Sequence, residues 1–286
     1  MTNIKTLDGK AYALKVREQV RQKVSSFVDK GQRAPGLATV LVGEDAASQV
    51  YVRNKHRAAE KAGIVNFHHQ LPADISQSAL LEIVEKLNKN NDIDGILVQL
   101  PLPRHLDEDE VIEAIAPAKD VDGFHPRSTS ALYQGKPTFV PCTPKGCMVL
   151  LESLGEDLTG KTAVVVGRSH IVGKPMAHLL LGANCTVTIC HSRTKDLAAH
   201  TLKADIVIAA VGRMCMLTDE HISPGTIVID VGINRGDDGK LKGDVNFDKV
   251  APIAKAITPV PGGVGPMTIA MLMANTCIAY EARLGL

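Results

Sequence analysis

The chain has 286 residues, 32 basic and 31 acidic, for a formal net charge of +1 without a basic block, and aromatic side chains make up 3% with no Trp. That balance argues against nucleic acid, by phosphate contact or by base stacking, and against an anionic membrane surface as partners. No apolar run reaches the length of a membrane span, and the opening MTNIKTLDGK lacks the apolar core of a signal peptide, so a cytoplasmic protein is expected.

Strands and helices alternate along the chain. Ala13, Val16, Val20, Val24 and Phe27 recur at helical spacing and predict a helix over 11–30. Leu37 to Val42 predicts a strand ending at Gly43, and 46–62 a helix closed by Gly63. Ile64 to Leu71 reads as a strand, and 76–89 as an amphipathic helix carrying Leu80, Ile83, Val84 and Leu87. Gly95 to Leu100 is the next strand, stopped by Pro101 and Pro103. Asp107 and Glu110 then form a D-x-x-E capping box for the helix through Val111 and Ile115. This βα repetition predicts a first domain over 1–120.

Residues 117–142 are rich in Pro, Gly and polar side chains and predict loops, with 121–142 as a linking segment. The second domain, 143–286, opens with Thr143 as N-cap and Pro144 at the first helical position. Its centre is Thr162 to Pro175, where the short β-branched run Ala163–Val166 reads as a buried strand, Gly167 as a tight turn, and Gly173 and Pro175 as a helix entry. A strand–glycine–helix turn offers free N–H groups to a phosphate, although Arg168 and Ser169 fill the middle of what would otherwise be G-x-G-x-x-G; a plain βα turn is the alternative. Strands over Thr186–Cys190, Ile206–Val211 and Thr226–Val231 follow at βαβ intervals. They predict an α/β, Rossmann-like sheet with its ligand at the strands' carboxyl ends. A last helix, about 266–283, has room to pack back on the first domain.

Several residues stand out as carriers of chemistry. Ser48, Tyr51 and Lys55 fall at i, i+3 and i+7 on one helix face, where a Tyr ring can hold an aromatic substrate and a desolvated Lys can move a proton; an exposed polar face is the alternative. Gln99 ends an apolar strand, so it either satisfies nearby backbone or points into a cleft. Asp120 and Asp122 flank Val121 without EF-hand spacing, which leaves a capped turn or a carboxylate facing the N–H edge of a heterocycle. The strand end Cys190-His-Ser-Arg193 lacks the acidic residue that grips a ribose 2′-OH. Ser192, Arg193 and Arg168 suit a 2′-phosphate instead, so the cofactor expectation is NADP; a solvated turn is the alternative. Pro259 to Thr268 packs three Pro and three Gly into ten residues, a fixed backbone with room for a cis peptide. The six Cys form no C-x-x-C, the His residues lack zinc spacing, and the adjacent His68 and His69 read as structural, so no metal is expected.

Six stretches appear together and in order: Tyr51-Val-Arg-Asn-Lys55, Gly95-Ile-Leu-Val-Gln-Leu-Pro-Leu-Pro103, Lys119-Asp-Val-Asp-Gly123, Pro141-Cys-Thr-Pro144, Gly167-Arg-Ser-His-Ile-Val-Gly-Lys-Pro175 and Pro261-Gly-Gly-Val-Gly-Pro-Met-Thr268. Through them the chain closely resembles the bifunctional methylenetetrahydrofolate dehydrogenase/cyclohydrolases of bacterial type, over almost its whole length. The resemblance implies two α/β domains flanking a cleft, a homodimer, NADP, and tetrahydrofolate substrates. It implies oxidation of 5,10-methylenetetrahydrofolate to the methenyl cation, then hydrolysis to 10-formyltetrahydrofolate. It makes Lys55 the acid–base group, tuned by Gln99, with Tyr51 against the aminobenzoyl ring and Asp122 on the pterin edge. Ser48, Val98, Leu100, Pro101, Gly262 and Gly263 join the substrate set by the same resemblance. Gly167, Arg168, Ser169, Ser192 and Ile233 become the cofactor set, to which the strand-end reading adds Arg193.

Overall fold

The structure, a computed structural model, describes residues 5–286. The first four residues, part of the expected first domain and of the stretch read for a signal peptide, lie outside the described residues. In chain order the elements are β1 (Lys5–Thr6), α1 (Gly9–Asp29), β2 (Gly36–Val42), α2 (Ala46–Ala62), β3 (Val65–Leu71), α3 (Gln77–Lys89) and β4 (Gly95–Val98). Next come α4 (Glu108–Ala114), α5 (Pro126–Tyr133), α6 (Cys142–Glu152), β5 (Thr162–Val166), α7 (Gly173–Gly182), β6 (Thr186–Cys190), α8 (Leu197–Thr201) and β7 (Ile206–Ala209). The last are β8 (Ile227–Asp230), β9 (Asn234–Arg235), β10 (Leu241–Lys242), α9 (Phe247–Val250), β11 (Ala256–Ile257) and α10 (Val264–Leu284).

The chain divides into two compact units. One joins Met1–Ala13 to Thr143–Thr268, the other Leu14–Cys142 to Ile269–Leu286. The sequence reading gave a passage through 121–142 and room for the last helix to pack back; the chain also passes between units after Ala13, which it did not give. Strand pairing rather than sequence order gathers a unit: β1 pairs in parallel with β11, which draws the chain's start to the later sheet.

In the first unit, six parallel strands take the order β1-β11-β8-β7-β5-β6. β5, β7 and β8 are β-branched and buried almost throughout, as strands covered on both faces must be. The chain leaves β5 toward β6 and returns to β7 on the other side, so the strand order reverses between β5 and β7. The second unit repeats this on a smaller scale, with parallel order β3-β2-β4 and the reversal between β2 and β4. Its core joins Ala38, Val40 and Val42 to Leu80, Val84 and Leu87 of α3 and to Ile96 and Val98. Buried Asp94 ties the starts of β2 and β4, accepting from the Gly36 amide (2.8 Å) and from Arg33 and Arg283.

Three local expectations change. Within 117–142, read as loops, Pro126–Tyr133 is the helix α5, with His125 capping it by accepting from the Arg127 amide (3.0 Å). Its polar sequence conceals the helix, because few apolar residues mark a buried face. Thr143 lies inside α6, which begins at Cys142, and its hydroxyl pairs with that of Thr268 (2.9 Å) rather than capping. Asp107 does cap α4 through the Asp109 and Glu110 amides, but the reciprocal half of the box is absent. Gln77 of α3 takes that place, accepting from the Asp107 amide and donating to Glu110.

Candidate active site

Asp45 caps α2, accepting from the Ser48 amide at 2.7 Å, and so sets where that helix's faces point. Ser48 and Lys55 are buried and Tyr51 is half-buried, whereas Val50, Arg53 and Asn54 are exposed. The face predicted from spacing is therefore turned inward, and it meets the end of β4. The Gln99 amide donates to the Val40 carbonyl (2.8 Å), which fixes its backbone. Its side-chain Nε2 donates to the Leu100 carbonyl (2.6 Å), so Oε1 is left to accept from Lys55 Nζ at 3.0 Å. Of the two readings offered for Gln99, the backbone one holds at its Nε2, while its Oε1 meets Lys55. Val98 is buried, Leu100 is half-buried, and the Leu100–Pro101 peptide is cis.

Lys55 is only 8% exposed, and burial pushes its amine below the ordinary lysine range. Asp122 is pushed the other way by burial, above the usual carboxylate range; its attraction to Lys55 and a hydrogen bond with the Cys142 side chain oppose that shift. Each group thus leans toward its neutral form while the other resists the change.

The loop that carries Asp122 is shaped by its neighbour. Buried Asp120 accepts from the amides of Gly123 (3.1 Å), Phe124 (3.2 Å) and His125 (2.9 Å) and from the Ser128 hydroxyl (2.8 Å). Burial nevertheless pushes its carboxyl up to about 6. Between the two carboxylates, the Val121 carbonyl accepts from Asn275 Nδ2 (2.8 Å) and the Cys142 thiol (3.4 Å). Asn275 also donates to the Val140 carbonyl (3.1 Å). The sequence reading noticed Asp120 without this role and missed Asn275. The available signal was one amide in the apolar middle of a helix, a polar group that burial obliges to find partners.

In the six-stranded unit, Gly167 (φ +136°) ends β5 at the strand-order reversal, where a Cβ would lie 2.1 Å from the Ala210 carbonyl oxygen that follows β7. A Cβ on Gly173 would lie 2.3 Å from the Gly167 carbonyl oxygen, so both glycines are required by close backbone approach. Ser169 Oγ accepts from the amides of Val172 (3.2 Å) and Gly173 (3.3 Å) at the start of α7. Arg168, Ser192, Arg193 and Ile233 are exposed. No carboxylate stands in Cys190–Arg193, and neither Arg168 nor Arg193 enters an ion pair among the described residues. A glycine turn that lets a ligand reach backbone, with two guanidinium groups unneutralised beside it, is a donor set that fits a dinucleotide bearing an extra phosphate.

Gly262 (φ +111°) follows the cis Val260–Pro261 peptide, and its carbonyl accepts from the Lys10 amide (3.0 Å). A Cβ on Gly263 would crowd the Pro259 carbonyl oxygen at 2.6 Å. This loop is thus anchored on the start of α1. Among the described residues no three His, Cys, Asp or Glu gather as metal ligands, and no helix is long and apolar enough to cross a membrane. His68 stacks edge-on with His56 at 4.5 Å.

Residues 7–122 match the family model of the tetrahydrofolate dehydrogenase/cyclohydrolase catalytic domain, and 141–284 match that family's NAD(P)-binding domain. A curated relative from Bordetella avium, named bifunctional protein FolD, is 59% identical over 97% of this chain and 98% of its own. The crystal structure of the bifunctional FolD dehydrogenase/cyclohydrolase from Campylobacter jejuni superposes with a TM-score of 0.96 at 47% identity, covering 98% of this chain and 99% of that one. The Trypanosoma brucei dehydrogenase-cyclohydrolase, complexed with NADP and an inhibitor, superposes at 0.95 with 38% identity over the full length of both chains.

Proposed function

This chain belongs to the tetrahydrofolate dehydrogenase/cyclohydrolase family, and from that premise we infer how its residues divide the two reactions. It is a bifunctional folate enzyme that oxidises 5,10-methylenetetrahydrofolate to the methenyl form with NADP and hydrolyses that to 10-formyltetrahydrofolate. When bound, NADP⁺ supplies the acceptor for the hydride that leaves the methylene carbon. Gly167, Arg168, Ser169, Ser192, Arg193 and Ile233 would hold it, the exposed guanidinium groups taking the 2′-phosphate.

The observation that carries the assignment of roles is the buried Lys55 amine donating to Gln99 Oε1 at 3.0 Å. An ammonium at this position would repel the methenyl cation, whereas a neutral amine can act as a base. Lys55 accepts a proton from water as the water oxygen bonds to the methenyl carbon. It returns that proton to the folate nitrogen as the ring C–N bond opens, and the proton released is that of the intermediate's hydroxyl. Gln99 keeps an acceptor on the amine and so orients its lone pair. Tyr51 packs on the aminobenzoyl ring and Asp122 accepts from the pterin N–H edge. Ser48, Val98, Leu100, Pro101, Gly262 and Gly263 complete the folate contacts.

Supplying methylenetetrahydrofolate and NADP⁺ and following NADPH and methenyl absorbance tests both reactions. NADPH should appear with little methenyl accumulation; stoichiometric methenyl build-up would leave a dehydrogenase alone. We also assign a homodimer, supported by β3, which pairs only with β2 among the described residues and presents an open sheet edge. Sedimentation of a monomer at micromolar concentration would remove that assignment. A cytoplasmic location is supported by six free cysteines.

A further inference from the structure

Two buried carboxylates of the six-stranded unit, Asp230 and Asp244, take no part in the roles above. Asp244 Oδ2 accepts from the amides of Val211 (2.6 Å) and Gly212 (2.9 Å). Its Oδ1 accepts from the Arg213 amide (2.8 Å) and from Asn234 Nδ2 (2.9 Å). Asp230 stands behind it, accepting from the amides of Asp244 (2.9 Å), Gly232 (3.0 Å) and Val245 (2.9 Å). The glycines around the pair leave no room for side chains: a Cβ on Gly232 would lie 2.3 Å from Asp244 Oδ1, and one on Gly243 would lie 1.8 Å from Asp230 Oδ2.

The loops held in this way are the ones at the sheet's carboxyl edge. Val211–Arg213 follows β7, which faces the Gly167 turn across the strand-order reversal, and Val231–Asn234, with Ile233, follows β8. We infer that Asp244 is a positioning residue for NADP: one carboxylate sets the backbone of the loop that faces the glycine turn and holds the Asn234 side chain of the loop after β8. The inference rests on the reading of this unit as the NADP-binding one. Each carboxylate oxygen serves two N–H donors, so an amide cannot replace it. In either orientation its NH₂ would face a pair of donors and leave them unsatisfied.

Calorimetric titration of NADP⁺ into the full-length chain tests this, beside the hydrolysis of supplied methenyltetrahydrofolate. Asp244→Asn should raise the NADP⁺ Kd about tenfold or more and leave methenyl hydrolysis within about twofold, since Lys55, Gln99 and Asp122 belong to the other unit. Hydrogen exchange at Val211–Arg213 should quicken in the same variant. Asn234→Ala, which removes one donor and keeps the carboxylate, should raise the Kd by about threefold. An unchanged Kd in Asp244→Asn, or loss of NADP⁺ binding and methenyl hydrolysis together, overturns the inference. If Asp244→Asn does not fold, an unchanged Kd in Asn234→Ala overturns it. A wild-type chain that binds no NADP⁺ would instead bring down the reading of the unit on which the inference rests.

Discussion

The two units place their candidate functional residues at the same topological position and treat them oppositely. In each, the site grows where the strand order reverses, between β2 and β4 in one and between β5 and β7 in the other. At the first reversal the polar groups are few and buried or half-buried: Lys55 and Gln99 meet there, and burial shifts Lys55 and Asp122 toward neutrality. At the second, Arg168, Ser192 and Arg193 stand in solvent, and among the described residues neither guanidinium enters an ion pair. Proton transfer needs a group whose affinity for protons the protein has changed, which burial does; holding a phosphate needs fixed charge and backbone that a ligand can reach, which exposure supplies.

Removing the buried base is the hardest test of that contrast. Lys55→Met keeps much of the chain length and loses the basicity. Hydrolysis of supplied methenyltetrahydrofolate should fall by about 10²–10⁴-fold, the usual worth of general acid–base catalysis. NADP⁺ affinity should hold, and any remaining dehydrogenase activity should release methenyl product. Methenyl absorbance decaying at the wild-type rate would take proton transfer away from Lys55.

Asp122→Ala should come next in size. Losing a charged acceptor for the pterin edge costs about 1.5–3 kcal/mol, roughly 10- to 150-fold in folate affinity, with NADP⁺ affinity unchanged. A calorimetric loss confined to NADP⁺ would invert the comparison. On the exposed side the expected effect is smaller. The enzyme should prefer NADP⁺ to NAD⁺ by about tenfold or more in kcat/KM, the worth of one charge-assisted contact, and Arg193→Ala should narrow the gap. Equal kcat/KM for the two cofactors in the wild type would sink the 2′-phosphate reading.

Much of both sheets was legible in the sequence because buried parallel strands are short β-branched runs punctuated by glycine, as Ala163–Val166 with Gly167 shows. The α2 face was legible because helical spacing places Ser48, Tyr51 and Lys55 together whatever surrounds them. Its inward orientation was not, since that depends on β4, more than forty residues further on, which supplies Gln99. The groups that shape loops stayed hidden for the same reason. Asn275 reaches the Val121 carbonyl across 154 residues, and Asp244 serves amides some thirty residues before it. Side-chain-to-backbone hydrogen bonds of that range leave no periodicity to read. The pairing of β1 with β11 is likewise invisible in a two-residue strand.

A last expected effect, on stability rather than on either reaction, concerns where the contrast between the units ends. Each also buries a loop-shaping carboxyl pushed upward by burial, Asp120 to about 6 and Asp230 to about 7. An unfolded Asp titrates near about 3.9. Between that value and the raised one, the folded chain keeps a proton that the unfolded chain has lost, so stability falls as pH rises. The contribution is complete below the unfolded value and is lost as pH climbs through the folded one. Carboxylates with lowered values, such as Glu18 at about 2 beside Arg21, act with the opposite sign, but below pH 5. From pH 5 to 7 the Asp230 loss should amount to roughly 2 kcal/mol, a shift of several degrees in Tm. Asp230→Asn will lower Tm at every pH, because it breaks amide contacts. The readout is therefore the difference between pH 5 and pH 7, which should shrink in the variant, measured by scanning calorimetry. An undiminished difference would mean that Asp230 is already ionised at pH 5, its three amide donors outweighing its burial. The buried carboxyls of the two units would then differ in kind, Asp120 alone remaining a titrating group.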